Sequence, residues 1–140
     1  MDTTSPREPL LALRTELLDL HRELIASERG VYERTHGPVA SPTAFLQLLT
    51  TDPGFAWLAP FTALVSKFDA ALADKKDPLT AERTQALLAE TRALLSPDEH
   101  GQGFAKLYFE ALHRDPHVVV AHADLNRKLN RLPEFPVTEK

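Results

Sequence analysis

Proline placement constrains this chain more than any other feature. Eleven prolines occur in 140 residues, against five glycines. Six of them directly follow a Ser or Asp: Ser5-Pro6, Ser41-Pro42, Asp52-Pro53, Asp77-Pro78, Ser96-Pro97 and Asp115-Pro116. A Ser or Asp oxygen accepts from the free N–H groups of a helix's first turn. Proline suits the first helical position because it has no N–H to satisfy. Ser96-Pro97-Asp98-Glu99 also has the form of a capping box. Thr80-Ala81-Glu82-Arg83 offers an alternative start after Asp77-Pro78. Six start signals predict about six helices, near 6–36, 42–50, 53–75, 79–95, 97–114 and 116–131. Pro60 falls inside the third of these and predicts a kink or a break there. Pro133 and Pro136 end the last helix and predict an extended tail over 133–140.

Apolar spacing agrees with the caps. Leu10, Leu13, Leu17, Leu20, Leu24 and Val31 recur at steps of three and four, with Ser27 filling one gap. Phe61, Leu64, Val65, Phe68, Ala71 and Leu72 form a second helical stripe. Leu87, Leu88, Leu94 and Leu95 mark a third, and Phe104, Leu107, Tyr108, Ala111 and Leu112 a fourth. No segment has a strand period, and Val118-Val119-Val120 is too short to make one. The predicted fold is therefore all-α: one domain over 1–140, a bundle of five to six helices with a long N-terminal helix. That first helix, about 45 Å long at 1.5 Å per residue, carries a further stripe beside its Leu seam: Leu11, Leu18, His21, Ile25, Glu28 and Tyr32. Two stripes on one helix imply a central position in the bundle or a partner on one side. The excess length favours self-association.

Composition removes several function classes. The chain has no cysteine, which excludes disulfides, thiolate metal sites and thiol nucleophiles and suits a reducing cytoplasm. The first residues are polar, unlike a signal peptide, and no apolar run reaches the roughly 20 residues that cross a bilayer. A net charge of −4 gives no electrostatic reason to expect nucleic acid or an anionic membrane as partner. There is no phosphate-binding glycine motif and no Gly-x-Ser-x-Gly elbow. Asn126-Arg127-Lys128 with Arg131 is the one basic cluster, read as a charged outer helix face.

The residues left for chemistry are Glu and His. His21 and Glu28, seven apart, share a helix face among Leu, Ile and Tyr. They are either a functional pair or two polar groups each bonded to a neighbouring helix. Two Glu-x-x-His units, Glu33 with His36 and Glu110 with His113, have the i, i+3 spacing with which helical bundles bind metals. Both have plainer readings. His36 precedes Gly37-Pro38, where His commonly ends a helix, and Leu107, Tyr108, Ala111 and Leu112 already claim the inward face beside Glu110 and His113. His113, His117 and His122 are spaced like ligands, but Pro116 interrupts them, and His122 reads as a core histidine. The one conceivable haem arrangement joins His21 and His122. The expectation is no bound metal or other cofactor.

The centre of the chain is the least ordinary segment. Asp52-Pro53-Gly54-Phe55-Ala56-Trp57-Leu58-Ala59-Pro60-Phe61 holds three aromatics within seven residues, including the single Trp. Such density suits a core, a pocket or an interface. At steps of four, three and four, Trp57, Phe61, Leu64 and Phe68 are expected on one buried helix face, with Trp57 as an anchor. With Tyr32-Glu33-Arg34-Thr35-His36-Gly37, this segment resembles an uncharacterised family of small all-helical bacterial proteins over about residues 16–70. The resemblance implies a bacterial, cytoplasmic helical protein and no particular activity. The expected function is a non-enzymatic, soluble helical module that forms a homodimer or binds a protein partner. The alternative is a metal- or small-ligand-binding bundle. His21, Glu28, Tyr32, Trp57 and His122 are the ligand or interface candidates, and Glu33, His36, Glu110 and His113 the weak metal candidates.

Overall fold

The structure, a computed structural model, describes residues 6–74 and 79–132. The caps expected at Ser5 and Asp77-Pro78, and the extended tail over 133–140, lie outside the described residues. The rest forms seven helices and no strand: α1 (Arg7–His36), α2 (Pro42–Thr51), α3 (Pro53–Ala56), α4 (Ala59–Ala73), α5 (Ala81–Leu94), α6 (Phe104–Arg114) and α7 (Pro116–Asn130). Side-chain caps start most of them as expected. Ser41 Oγ accepts from the Ala44 N–H at 3.1 Å, Asp52 Oδ1 from Gly54 at 2.7 Å, Thr80 Oγ1 from Arg83 at 3.0 Å and Asp115 Oδ1 from His117 at 2.9 Å.

Two boundaries differ from the sequence reading. In 53–75 the kink or break expected at Pro60 is a full break and falls slightly earlier, at Trp57 and Leu58, giving α3 and α4 and raising the count among the described residues to seven. Pro60 has no N–H for the carbonyl four residues earlier, and its ring would clash there. It sits instead in the first turn of a new helix, where Leu58 O accepts from Phe61 and Thr62. The second difference is at 97–103, expected to open the fifth segment's helix. Ser96 donates its hydroxyl back to Arg92 O at 2.7 Å and so closes α5. Asp98 turns on itself, accepting from the His100 N–H at its carboxylate and from the Gly101 N–H at its carbonyl. Gly103 then adopts φ 60, a left-handed conformation that a helix cannot contain, and α6 begins at Phe104. A glycine pair at 101 and 103 outweighs a capping box, because each Gly inside a helix costs about 1 kcal/mol relative to Ala.

The long helix is central. It packs between α7 and α4 and touches α3 near its C-terminal end. Leu10, Leu13, Leu17, Leu20 and Leu24 are fully buried, and Ser27 continues the seam. Against them lie Phe61, Leu64 and Phe68 of α4, Leu87 and Leu88 of α5, Tyr108 and Ala111 of α6, and Val118 and Leu125 of α7, all in one core. Leu18 and Ile25 of the second stripe also pack on this core. Intramolecular neighbours thus cover most of both stripes, and of the stripe residues only Leu11 is an exposed large apolar side chain. No helix among the described residues is long and apolar enough to cross a membrane.

Candidate functional site

The helical register of α1 aims His21 at α4, where its Nε2 lies 2.9 Å from Thr62 Oγ1. Thr62 also donates to Leu58 O, four residues back, at 3.4 Å. The imidazole and the hydroxyl thus form one hydrogen-bonded pair. The ring tilts against Phe61, centroids 5.2 Å apart. Partial burial withdraws water from the imidazolium form and lowers the pKa of His21 from its usual 6.5, so the ring is neutral at pH 7.

His21 and Thr62 form one wall of the largest cleft described, about 660 Å³, which also takes in Ile25, Leu49, Phe55 and Leu58. It lies beside the break at Trp57 and Leu58, next to buried Phe55, and the small side chains of Ala56, Ala59 and Ala63 line it. None of the eleven lining residues is an Asp, Glu, Lys or Arg. The volume is that of an ordinary small-molecule site, and a few fixed polar groups in an apolar lining are typical of one. Sequence reasoning reached His21 but missed Thr62; the spacing of α4 gives no sign that this hydroxyl would meet an imidazole from α1.

Glu28 does not join His21. It pairs with Arg114 at the end of α6, and the same guanidinium donates to Ser27 Oγ from Nε at 3.1 Å and from Nη2 at 3.0 Å. Asp115 joins through Ser27 and His117. Burial alone would raise its pKa, but hydrogen bonds from the His117 N–H and ring and from Ser27 outweigh that and lower it. This polar knot ties the α6–α7 junction to α1. It offers no nucleophile, because the serine faces a guanidinium and a carboxylate rather than a free imidazole.

His122 is half-buried in a second polar contact. The Asn126 side-chain N–H donates to His122 Nε2 at 3.0 Å, so the neutral ring carries its proton on Nδ1 and donates it to the hydroxyl oxygen of fully buried Tyr108. Burial raises the Tyr108 pKa and lowers that of His122, so both stay neutral. Asn126, read from sequence as part of a basic outer face, belongs to this contact, and its neighbour Arg127 pairs with Asp124.

Neither Tyr32 nor Trp57 lines the cleft. Tyr32 stacks on His36 at 4.3 Å and tilts against Phe55 at 6.1 Å, bordering a smaller hollow of about 310 Å³. Trp57 is only partly buried and packs on Phe104 at 5.3 Å. It falls in the break before α4 and is less buried than Phe61, Leu64 and Phe68, but it packs against the same core.

The weak metal candidates do not converge. Glu33 accepts from the Val39 N–H at 3.0 Å and from Arg29 at 3.1 Å, which hold its carboxyl below the usual range, the backbone bond foremost. His36 donates from Nδ1 to Tyr32 O at 3.2 Å, ending α1 as expected. Glu110 and His113 are exposed on α6, where His113 packs on Phe109 at 4.2 Å. No group of three or more metal-ligating side chains gathers among the described residues. Comparison with family models, curated proteins and solved structures finds no match to this chain.

Proposed function

We propose that this protein is a non-enzymatic helical module that binds a small, uncharged, largely apolar molecule in the cleft between α1, α3 and α4. One observation carries the reading: a 660 Å³ cleft with no charged side chain in its lining and one neutral imidazole–hydroxyl pair in its wall. An anion would find no cation there and a cation no carboxylate. The neutral His21 ring in the lining favours a ligand with one hydrogen-bonding group, such as an O–H or N–H, on an apolar body. A cytoplasmic, bacterial setting goes with this reading, supported by the absence of cysteine and by the resemblance over residues 16–70.

Fluorescence titration with 1-aminoanthracene, uncharged and carrying an N–H donor, tests the reading. Saturable binding is expected, with anionic anilinonaphthalene sulfonate binding much more weakly. Ala63→Trp, which fills the cleft from an exposed position on α4, should abolish binding without unfolding the chain. His21→Phe should weaken it about tenfold, the equivalent of one hydrogen bond. Unchanged binding in Ala63→Trp, or preference for the anionic dye, would reject the cleft as the site.

A second reading, homodimerisation or binding of a protein partner, draws on the exposed apolar residues Leu11, Leu46, Val119 and Val120. They belong to three different helices, α1, α2 and α7. Sedimentation at rising protein concentration tests it, with Val119→Lys/Val120→Lys expected to disrupt any dimer that forms.

A further inference from the structure

Helix α2 is anomalous in its burial. It carries Phe45, Leu46, Leu48 and Leu49 within ten residues, yet none of its residues is buried. A helix of that composition ordinarily buries an apolar stripe, each Å² of which stabilises the fold by about 25 cal/mol. Here both flanks of α2 open onto hollows. Leu49 and Thr50 line the 660 Å³ cleft, while Ala44, Gln47, Leu48 and Thr51 line the 310 Å³ hollow beside Tyr32 and His36.

The helix is well formed but lightly attached. Ser41 caps its start, and Asp52 serves at once as its C-cap and as the N-cap of α3. Its side-chain attachments are few: the Phe45 ring meets Phe55 edge-on at 5.6 Å, and the Arg29 guanidinium lies 4.7 Å above the Phe45 ring. Ahead of it, Gly37 turns the chain at φ 85, and the Val39 N–H is pinned to Glu33 of α1. A capped helix between one pinned connector and one shared cap residue can swing as a unit over the space it borders.

We infer that α2 is the lid of the cleft, lowered onto an uncharged apolar ligand so that Leu49 is buried against it. This inference rests on the ligand-binding reading above. The cleft is the occupant's place because α2 already contributes Leu49 and Thr50 to its lining. A second copy of the chain docking on α2 would instead cover Leu46, which lines neither of these two hollows and is 62% exposed.

Hydrogen exchange of the full-length protein, followed by mass spectrometry with and without 1-aminoanthracene, tests the lid, and the dye's own fluorescence reports binding independently. If only the closed form holds the dye, a dye concentration of about 100 times its Kd should slow exchange in α2 up to about a hundredfold. Amides of α7, remote from the cleft, should be unaffected. Dye that binds while α2 exchanges at its original rate overturns the lid and leaves the cleft reading standing. Absence of dye binding overturns both. In a second measurement, a Gly/Ser segment replaces residues 42–51, which removes no buried side chain and should leave the bundle folded by circular dichroism. Dye dissociation should then accelerate at least about tenfold, whereas an unchanged rate overturns the lid.

Discussion

Truncating Phe61 to alanine should destabilise this protein far more than truncating Trp57, although tryptophan is the larger residue. Phe61 is fully buried, touches the rings of His21 and Phe104, and stands in the α4 face that meets the Leu seam of α1. Removing a buried Phe costs roughly 3–5 kcal/mol, part transfer and part cavity. Trp57 is partly exposed in the break between α3 and α4 and has Phe104 as its aromatic neighbour, so its loss should cost only about 1–2 kcal/mol. Unfolding entropy of about 2.1 cal/mol/K per residue gives roughly 0.3 kcal/mol/K for 140 residues. The Phe61→Ala melt should therefore fall by roughly 10–17 °C and the Trp57→Ala melt by roughly 3–7 °C. Far-UV circular dichroism at two protein concentrations provides the assay. A Trp57→Ala loss equal to or larger than that of Phe61→Ala would show that partial exposure does not lessen the share of the core that Trp57 holds, and would refute the packing argument.

Arg114→Ala should cost about 2–3 kcal/mol in a denaturant melt, since it strands Glu28, whose side chain is 11% exposed, and removes both donors to Ser27. The double variant with Glu28→Gln should recover part of that loss, and strict additivity would rule out the coupling. Thr84→Val should stabilise the fold by about 1 kcal/mol, because the Thr84 hydroxyl is buried with no hydrogen-bond partner and valine keeps its shape; a lower melting temperature would contradict this. Stability should also fall as pH drops below about 6.5. His21 and His122 have lowered pKa values in the folded state, so between 6.5 and those values the unfolded chain binds protons that the folded chain does not. The dependence should shrink in His21→Phe and His122→Phe, and an equal slope in both variants and the parent would locate the effect elsewhere.

The sequence by itself determined the helices and the core. Cap and proline chemistry acts within a turn, so Ser41, Asp52, Thr80 and Asp115 announced their helices without help from the rest of the chain. The three-and-four spacing from Leu10 to Leu24 likewise identified the buried face of α1, because that spacing is a property of one helix alone. The site was not legible in the same way. His21 stood out as a polar residue in an apolar stripe, and so did Glu28, but seven-residue spacing joined them as a pair when the fold gives them to different partners, Thr62 and Arg114. Those partners lie 41 and 86 residues away. Only the packing of α4 and α6 against α1 chooses among all the hydroxyls and cations that could have faced them. The cleft was equally hidden. It lies beside the break between α3 and α4, and residues of α1, α2, α3 and α4 together line it. A hollow is defined by what several elements leave unfilled, and no local pattern in a sequence records that.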